Sequence, residues 1–132
     1  MKKTYNLGSP KNEIMLSVKV GTVGVAHSVA YLYRSGGERI TLAESSTTSG
    51  DIKPQIIGTS AFLKGGYLLV YTMIDFSTIP VQYRERAIAN TLLSYELSGG
   101  DSGNMSFSTD PDDIHFNQDR SIMVVSKPAQ ML

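Results

Sequence analysis

The segment Glu13-Ile14-Met15-Leu16-Ser17-Val18-Lys19-Val20 carries an aliphatic side chain at every even position and polar side chains at most odd positions. Alternate side chains of a β-strand point to opposite faces, so this period of two is typical of a strand with one buried face. The alternation resumes over residues 25–34, after a turn at Gly21–Gly24, and Ser35-Gly36-Gly37-Glu38 then predicts a hairpin into residues 39–44. These runs predict an antiparallel β architecture.

The rest of the chain adds six predicted strands, at residues 55–63, 67–76, 91–98, 104–108, 114–117 and 121–127. The run 67–76 is apolar on both of its faces, which is typical of a central strand covered on both sides. Pro80 precedes residues 81–90, which we expect to form the one helix, and Pro128 is expected to end the last strand. The longest loop in the first half of the chain is expected at residues 45–54.

Together these elements predict an all-β, mainly antiparallel fold. We expect a β-sandwich or a partly closed barrel of about eight strands with at most one short helix. The length of 132 residues predicts a single β domain over residues 1–132, with extended tails at 1–12 and 128–132.

Composition narrows the function classes. The formal net charge is zero, which disfavours nucleic acid as a partner, and the absence of cysteine excludes disulfides and thiolate chemistry. No apolar stretch follows Met1-Lys2-Lys3, and no apolar run is long enough to cross a membrane, so we expect neither a signal peptide nor a membrane span. The sequence predicts a chain that is cytoplasmic at synthesis and carries no cofactor.

The segment Gly100-Asp101-Ser102-Gly103 resembles the nucleophile segment of trypsin-like serine proteases. Val25-Ala26-His27-Ser28 is similar to the histidine segment of that family, and Asp75 lies between them in the chain. The resemblance implies a small hydrolase with Ser102 as nucleophile, His27 as base and Asp75 as the group that orients the base. Asn104-Met105 stands where that family has Gly-Pro. The alternative is a hairpin loop at 98–104 and a partly buried strand histidine at position 27.

The acidic run Asp110-Pro111-Asp112-Asp113 is a second candidate site, because calcium prefers several carboxylate and carbonyl oxygens. Asp110, Asp112 and Asp113 are the candidate ligands. The spacing does not match the helix-loop-helix calcium signature, and Asp-Pro-Asp-Asp is also typical of a structural turn. We expect the turn.

Alternation places Tyr31 and Tyr33 on one face of their strand, and Tyr67 and Tyr71 on one face of theirs. Such tyrosines form either an aromatic platform for a partner or a sugar, or ordinary strand packing. Arg84 and Arg86 flank Glu85 in the expected helix and are further candidate interaction residues.

By elimination the sequence favours a non-catalytic protein-protein interaction or structural module, either a homo-oligomeric component or an adaptor of a larger assembly. Residues 1–66 carry a net charge of +4 and residues 67–132 a net charge of −4, which could support assembly of copies of the chain. The alternatives are a ligand-binding β domain, for carbohydrate or calcium, and the serine hydrolase.

Overall fold

The computed structural model describes residues 3–132 and shows a β-sandwich of two mainly antiparallel sheets. Ten strands form the sheets: β1 (Lys3–Tyr5), β2 (Glu13–Gly21), β3 (Val25–Tyr33), β4 (Arg39–Glu44), β5 (Ile52–Thr59), β6 (Tyr67–Asp75), β7 (Leu92–Ser98), β8 (Met105–Ser108), β9 (Ile114–Phe116) and β10 (Ile122–Met131). The helical segments are α1 (Ser60–Leu63), α2 (Val81–Ala89) and a 3-10 turn at Pro111–Asp113. The predicted fold class is confirmed.

The larger sheet has six strands in the order β1-β10-β6-β3-β4, and β9 pairs with β10. The smaller sheet has the order β5-β2-β7-β8. Strands β1 and β10 run parallel, whereas the other pairs between these strands are antiparallel. Each sheet therefore combines strands from both halves of the chain, so the oppositely charged halves interleave in space.

The core lies between the inner faces of the sheets. Ile14, Leu16 and Val18 of β2 are buried, as their alternation predicts, and they share one apolar cluster with Leu32 and Leu68 of the larger sheet. Burying a side chain of this size contributes about 1.5–3 kcal/mol to the free energy of folding. The alternate apolar side chains of the sequence are thus the ones that face the other sheet.

Helix α2 covers one end of the sandwich. Its buried Ala87 belongs to a second apolar cluster with Ile74, Phe76 and Met123. Pro80 precedes the first helical residue, where a missing N–H costs no intrahelical bond. The predicted helix at 81–90 and the following strand at 91–98 are both confirmed within a residue.

Parts of the extended tails expected at 1–12 and 128–132 are built into the sandwich, whereas residues 8–11 are exposed and irregular. Residues 1 and 2 lie outside the described residues. Lys3–Tyr5 forms a strand, and Tyr5 and Leu7 are buried in the core. Pro128 lies inside β10 rather than ending it. Along one edge of β10, β9 pairs with residues 123–125 and β1 with residues 129–131, so Pro128 falls between two pairings, where a missing N–H is tolerated.

One strand prediction also needs correction, and one connection crosses between the sheets. The expected strand at 55–63 begins earlier, at Ile52, and ends at Thr59, whose hydroxyl accepts a hydrogen bond from the Phe62 N–H and caps α1. Strands β8 and β9 do not pair, because β8 joins the smaller sheet and β9 the larger one. The acidic run between them crosses from one sheet to the other.

Candidate functional site

The outer faces of the two sheets differ in chemistry. On the smaller sheet the outward side chains of β2 and β7 are polar at most positions, with Ser17 opposite Glu96 and Lys19 opposite Ser94. Ser106 of β8 follows next to Glu96 and accords with the same pattern. This composition is the usual one for a sheet face in contact with water.

The larger sheet presents an outer face that is largely aromatic and aliphatic. Its central part comprises outward side chains of β3 and β6, which we call the aromatic face: Tyr31, Tyr33, Tyr67, Leu69 and Tyr71. Strand register brings these residues together, because Tyr33 lies opposite Tyr67, Tyr31 opposite Leu69, and Val29 opposite Tyr71. The face continues onto β10 through Pro128 and Val124, which lie opposite Leu69 and Met73.

The two-sided apolar pattern of β6 predicts cover on both faces, and this expectation is wrong for the outer one. The inward residues Leu68, Val70 and Ile74 are fully buried, whereas Tyr67, Leu69 and Tyr71 are only half-buried and Met73 is 39% exposed. The chain therefore carries apolar residues suited to a covered strand on a face that still meets solvent.

Local contacts hold part of the aromatic face in place. The Tyr31 and Tyr33 rings meet edge to face, with their centres 6.2 Å apart. The guanidinium carbon of Arg39 lies 4.6 Å from the centre of the Tyr31 ring, a cation-π geometry. An ordered ring loses less conformational entropy when a partner binds, so these contacts favour binding.

Glu44 and His27 lie beside the aromatic face on the same side of the sheet. The His27 Nε2 and a Glu44 carboxylate oxygen are 2.9 Å apart, and the His27 Nδ1 is 3.3 Å from the Ser45 hydroxyl. Both ring nitrogens of His27 thus have partners on β4 and the residue after it. Alternation alone does not identify Arg39 and Glu44 as neighbours of the tyrosines, since the register of β4 is needed.

The three residues of the protease-like resemblance do not meet. The Ser102 hydroxyl accepts a hydrogen bond from the Asn6 N–H, next to the end of β1 that pairs with Met131. Asp75 lies at the opposite end of β6 from Tyr67, the residue nearest that pairing. His27 is bound to Glu44 instead of Asp75.

Asp75 has a local role. Its carboxylate accepts a hydrogen bond from the Ser77 N–H at 2.8 Å, closing the turn after β6. Hydrogen bonds from the Ser77 side chain and backbone hold the pKa of Asp75 below its usual value, with a smaller contribution from the charge of Arg84.

The carboxylates of the acidic run bind the ammonium group of Lys127, in the position that the calcium hypothesis gives to a metal ion. The Lys127 Nζ lies 2.6 Å from an Asp110 oxygen and 2.8 Å from an Asp113 oxygen, and the Lys127 side chain is almost fully buried. Burial alone would lower the pKa of Lys127, but the two carboxylates outweigh it and raise the pKa above its usual value. Asp112, the third candidate ligand, is exposed. Lys127 gave no signal in the sequence, where it occupies an ordinary strand position.

The two arginines of α2 have different surroundings. Arg84 donates hydrogen bonds to the carbonyls of Ile79 and Ser77 and so holds the loop before the helix. Arg86 lines an apolar groove of about 560 Å³ between α2 and the turn after β2, together with Tyr83 and Leu92. Its position in the last turn also suits the negative end of the helix dipole.

Within residues 3–132 no cluster of three histidine or acidic side chains is arranged to hold a metal ion. No helix in the described part of the chain is both long and apolar enough to cross a membrane. The chain matches no protein-family model, no curated protein and no solved structure.

Proposed function

We propose that this protein is a non-catalytic protein-protein interaction module that docks through the aromatic face. The observation that carries the proposal is the contrast between a polar outer face on one sheet and an aromatic outer face on the other. Apolar patches of this kind, retained on a surface, are typical of sites that a protein partner covers.

The composition of the face supports protein as the partner class. Tyrosine is enriched in protein interfaces because its ring buries a large apolar area while its hydroxyl stays compatible with water. Four of the seven tyrosines of the chain lie on this face, and Arg39, whose residue type is also enriched in interfaces, stacks on one of them.

Charge insertion at the centre of the face tests the proposal. Leu69→Glu places a carboxylate amid the tyrosines, whereas Ser17→Glu places one at an outward, central position on the polar face. We expect light scattering to give the full-length wild type a mass in solution above the 14.4 kDa of one chain. Leu69→Glu should lower this measured mass, and Ser17→Glu should leave it unchanged. If the wild type is oligomeric, equal behaviour of the two variants would contradict the proposal.

A chain that is monomeric at every concentration would restrict the proposal to the adaptor form. In that case a photo-crosslinking amino acid is placed at position 71 or at position 17, and the crosslinked adducts that form in the producing cells are compared. This comparison tests whether a partner docks on the aromatic face. Adducts confined to position 71 support docking through the aromatic face, and the absence of such a preference contradicts it.

A further inference from the structure

We propose that the partner on the aromatic face is a second copy of this chain, bound face to face about a two-fold axis. This inference rests on the proposed function and names its partner. The axis lies in the plane of the face, at right angles to the strands, and passes over Leu69 and Tyr31.

The first argument is charge complementarity along β4. We call a line of paired outward residues that crosses the strands a row. Arg39 lies in the row of Tyr33, next to the row of Tyr31 on one side, and Glu44 lies in the row of Val29, next to it on the other side. A two-fold axis over Tyr31 exchanges those two rows, so Arg39 of one copy faces Glu44 of the other at two symmetric places. Both residues are exposed on the outer side of the sheet. In the single chain their charged groups lie against Tyr31 and His27 respectively, so the pairing between copies requires both side chains to turn toward the partner.

The second argument is the position of the aromatic side chains around that axis. Tyr33 and Tyr67 fill the row on one side of Leu69, and Val29 and Tyr71 fill the row on the other. The same rotation therefore brings the two aromatic rows together. An axis over Tyr33 and Tyr67 would instead place Arg39 against Arg39 of the other copy, where the two like charges repel each other. Sheets in sandwiches pack in this manner, with their strand directions about 30° apart.

The third argument is area. The strands of the larger sheet contain 40 residues, and each residue covers about 4.8 by 3.3 Å of the face, which gives an area of roughly 600 Å². A stable interface of standard size buries about 800 Å² on each partner. One face of this sheet is therefore close to what a specific dimer needs.

Charge exchange between the two positions tests the pairing directly. Arg39→Glu gives carboxylates at both positions, and Glu44→Arg gives guanidinium groups at both, so each single variant should bind itself at least tenfold more weakly than the wild type. Mixed in equal amounts, the two variants should form heterodimers, because each cross-contact then pairs a carboxylate with a guanidinium group. The double variant Arg39→Glu with Glu44→Arg should also dimerise.

The measurement is sedimentation of the full chain over a range of concentrations, with thermal melting to confirm that each variant is folded. Lys19→Glu, on the polar face, serves as the matched charge reversal and should dimerise like the wild type. A monomeric wild type, single variants that dimerise normally, or a mixture that stays monomeric would each overturn the inference. If Leu69→Glu dissociates an oligomer that the charge variants leave intact, the inference fails while docking through the aromatic face stands.

Discussion

Two buried tyrosines show how differently one residue type is accommodated in this core. The Tyr5 hydroxyl donates a hydrogen bond to the Gly103 carbonyl at 2.7 Å and accepts one from the Gly100 N–H at 3.0 Å. The Tyr95 hydroxyl is buried and has no hydrogen-bond partner among the residues described. Burial, and to a lesser extent the charge of Asp113, raise the pKa of Tyr95 well above its usual value, so its phenol stays neutral.

The same substitution should therefore act in opposite directions at these two positions. Tyr95→Phe keeps the ring stacked on Phe107, with centres 4.7 Å apart, and removes an unpaired polar atom. We expect it to raise the free energy of unfolding by about 1 kcal/mol, whereas Tyr5→Phe should lower it by about 1–2 kcal/mol because it leaves two backbone groups unpaired. Urea unfolding of both variants measures the difference, and a loss of stability in Tyr95→Phe would contradict the assignment of an unpaired hydroxyl.

At the residue scale, the sequence predicts which strand positions are buried but not how their polar atoms are satisfied. Alternation through Leu93, Tyr95 and Leu97 is enough to place Tyr95 on a strand. The partners of Tyr5 lie more than 90 positions away along the chain, so no local pattern identifies them.

Strand β10 illustrates the element scale, since its final residues contribute to the core. Met131 is fully buried, while the next residue, Leu132, is 47% exposed. Met131→Ala should lower the free energy of unfolding by about 3 kcal/mol through lost burial and an unfilled cavity. Leu132→Ala should change it by less than about 0.5 kcal/mol.

Thermal or urea unfolding of these two variants tests whether the C-terminal segment is packed in the core. Similar stabilities for Met131→Ala and Leu132→Ala would show that residues 128–132 are the extended tail that the sequence predicts. The contrast between the two variants, rather than either value alone, decides the question.

At this scale, prediction succeeded where local pattern dominates and failed where tertiary context does. The alternation of Glu13–Val20 and the proline before α2 are local signals, and both elements form as expected. Pro128 is a local signal for strand termination, but the two separate neighbours of β10 leave a gap for it. The residues around Tyr5 and Leu7 show no alternation long enough to predict a strand, so the sequence does not predict the short strand β1 that pairs with the distant β10.

At the scale of the whole molecule, Lys127 joins the larger sheet to the crossover that comes from the smaller one. Asp113→Asn removes one charged partner of the buried ammonium while keeping an oxygen for the Asp110 N–H. We expect the free energy of unfolding to fall by about 2 kcal/mol. Asp112→Asn, in the same turn but exposed, should change it by less than about 0.5 kcal/mol.

The pH dependence of stability should reveal the same contact. Hydrogen bonding to Lys127, followed by its charge, lowers the pKa of Asp110 in the folded state. A lowered folded-state pKa adds stability above the unfolded pKa of about 3.9, and that stability is lost as pH falls through the folded value. Stability of the wild type should therefore decline below about pH 4, and Asp110→Asn should flatten the decline. An unchanged acid limb in Asp110→Asn would contradict this account.

The candidate site was only partly predictable, because it depends on which strands are neighbours in the complete sheet. Alternation is sufficient to place Tyr31 with Tyr33, and Tyr67 with Tyr71, each pair on one face of its own strand. That β3 and β6 are neighbours, in a register that sets Tyr33 opposite Tyr67, follows from the complete sheet. The contribution of Arg39 and Glu44 depends in addition on the bulge between Ala30 and Tyr31, which shifts the register of β4.

The chain order of the larger sheet also bears on synthesis at the ribosome. Strand β10 lies between β6 on one side and β1 and β9 on the other, yet it is the last of the ten strands to be translated. Until residues 122–131 emerge, β1 has no strand to pair with and one edge of β6 remains open to other nascent chains. Such long-range pairing slows folding, so we expect the larger sheet to form only after residues 122–131 have left the ribosome.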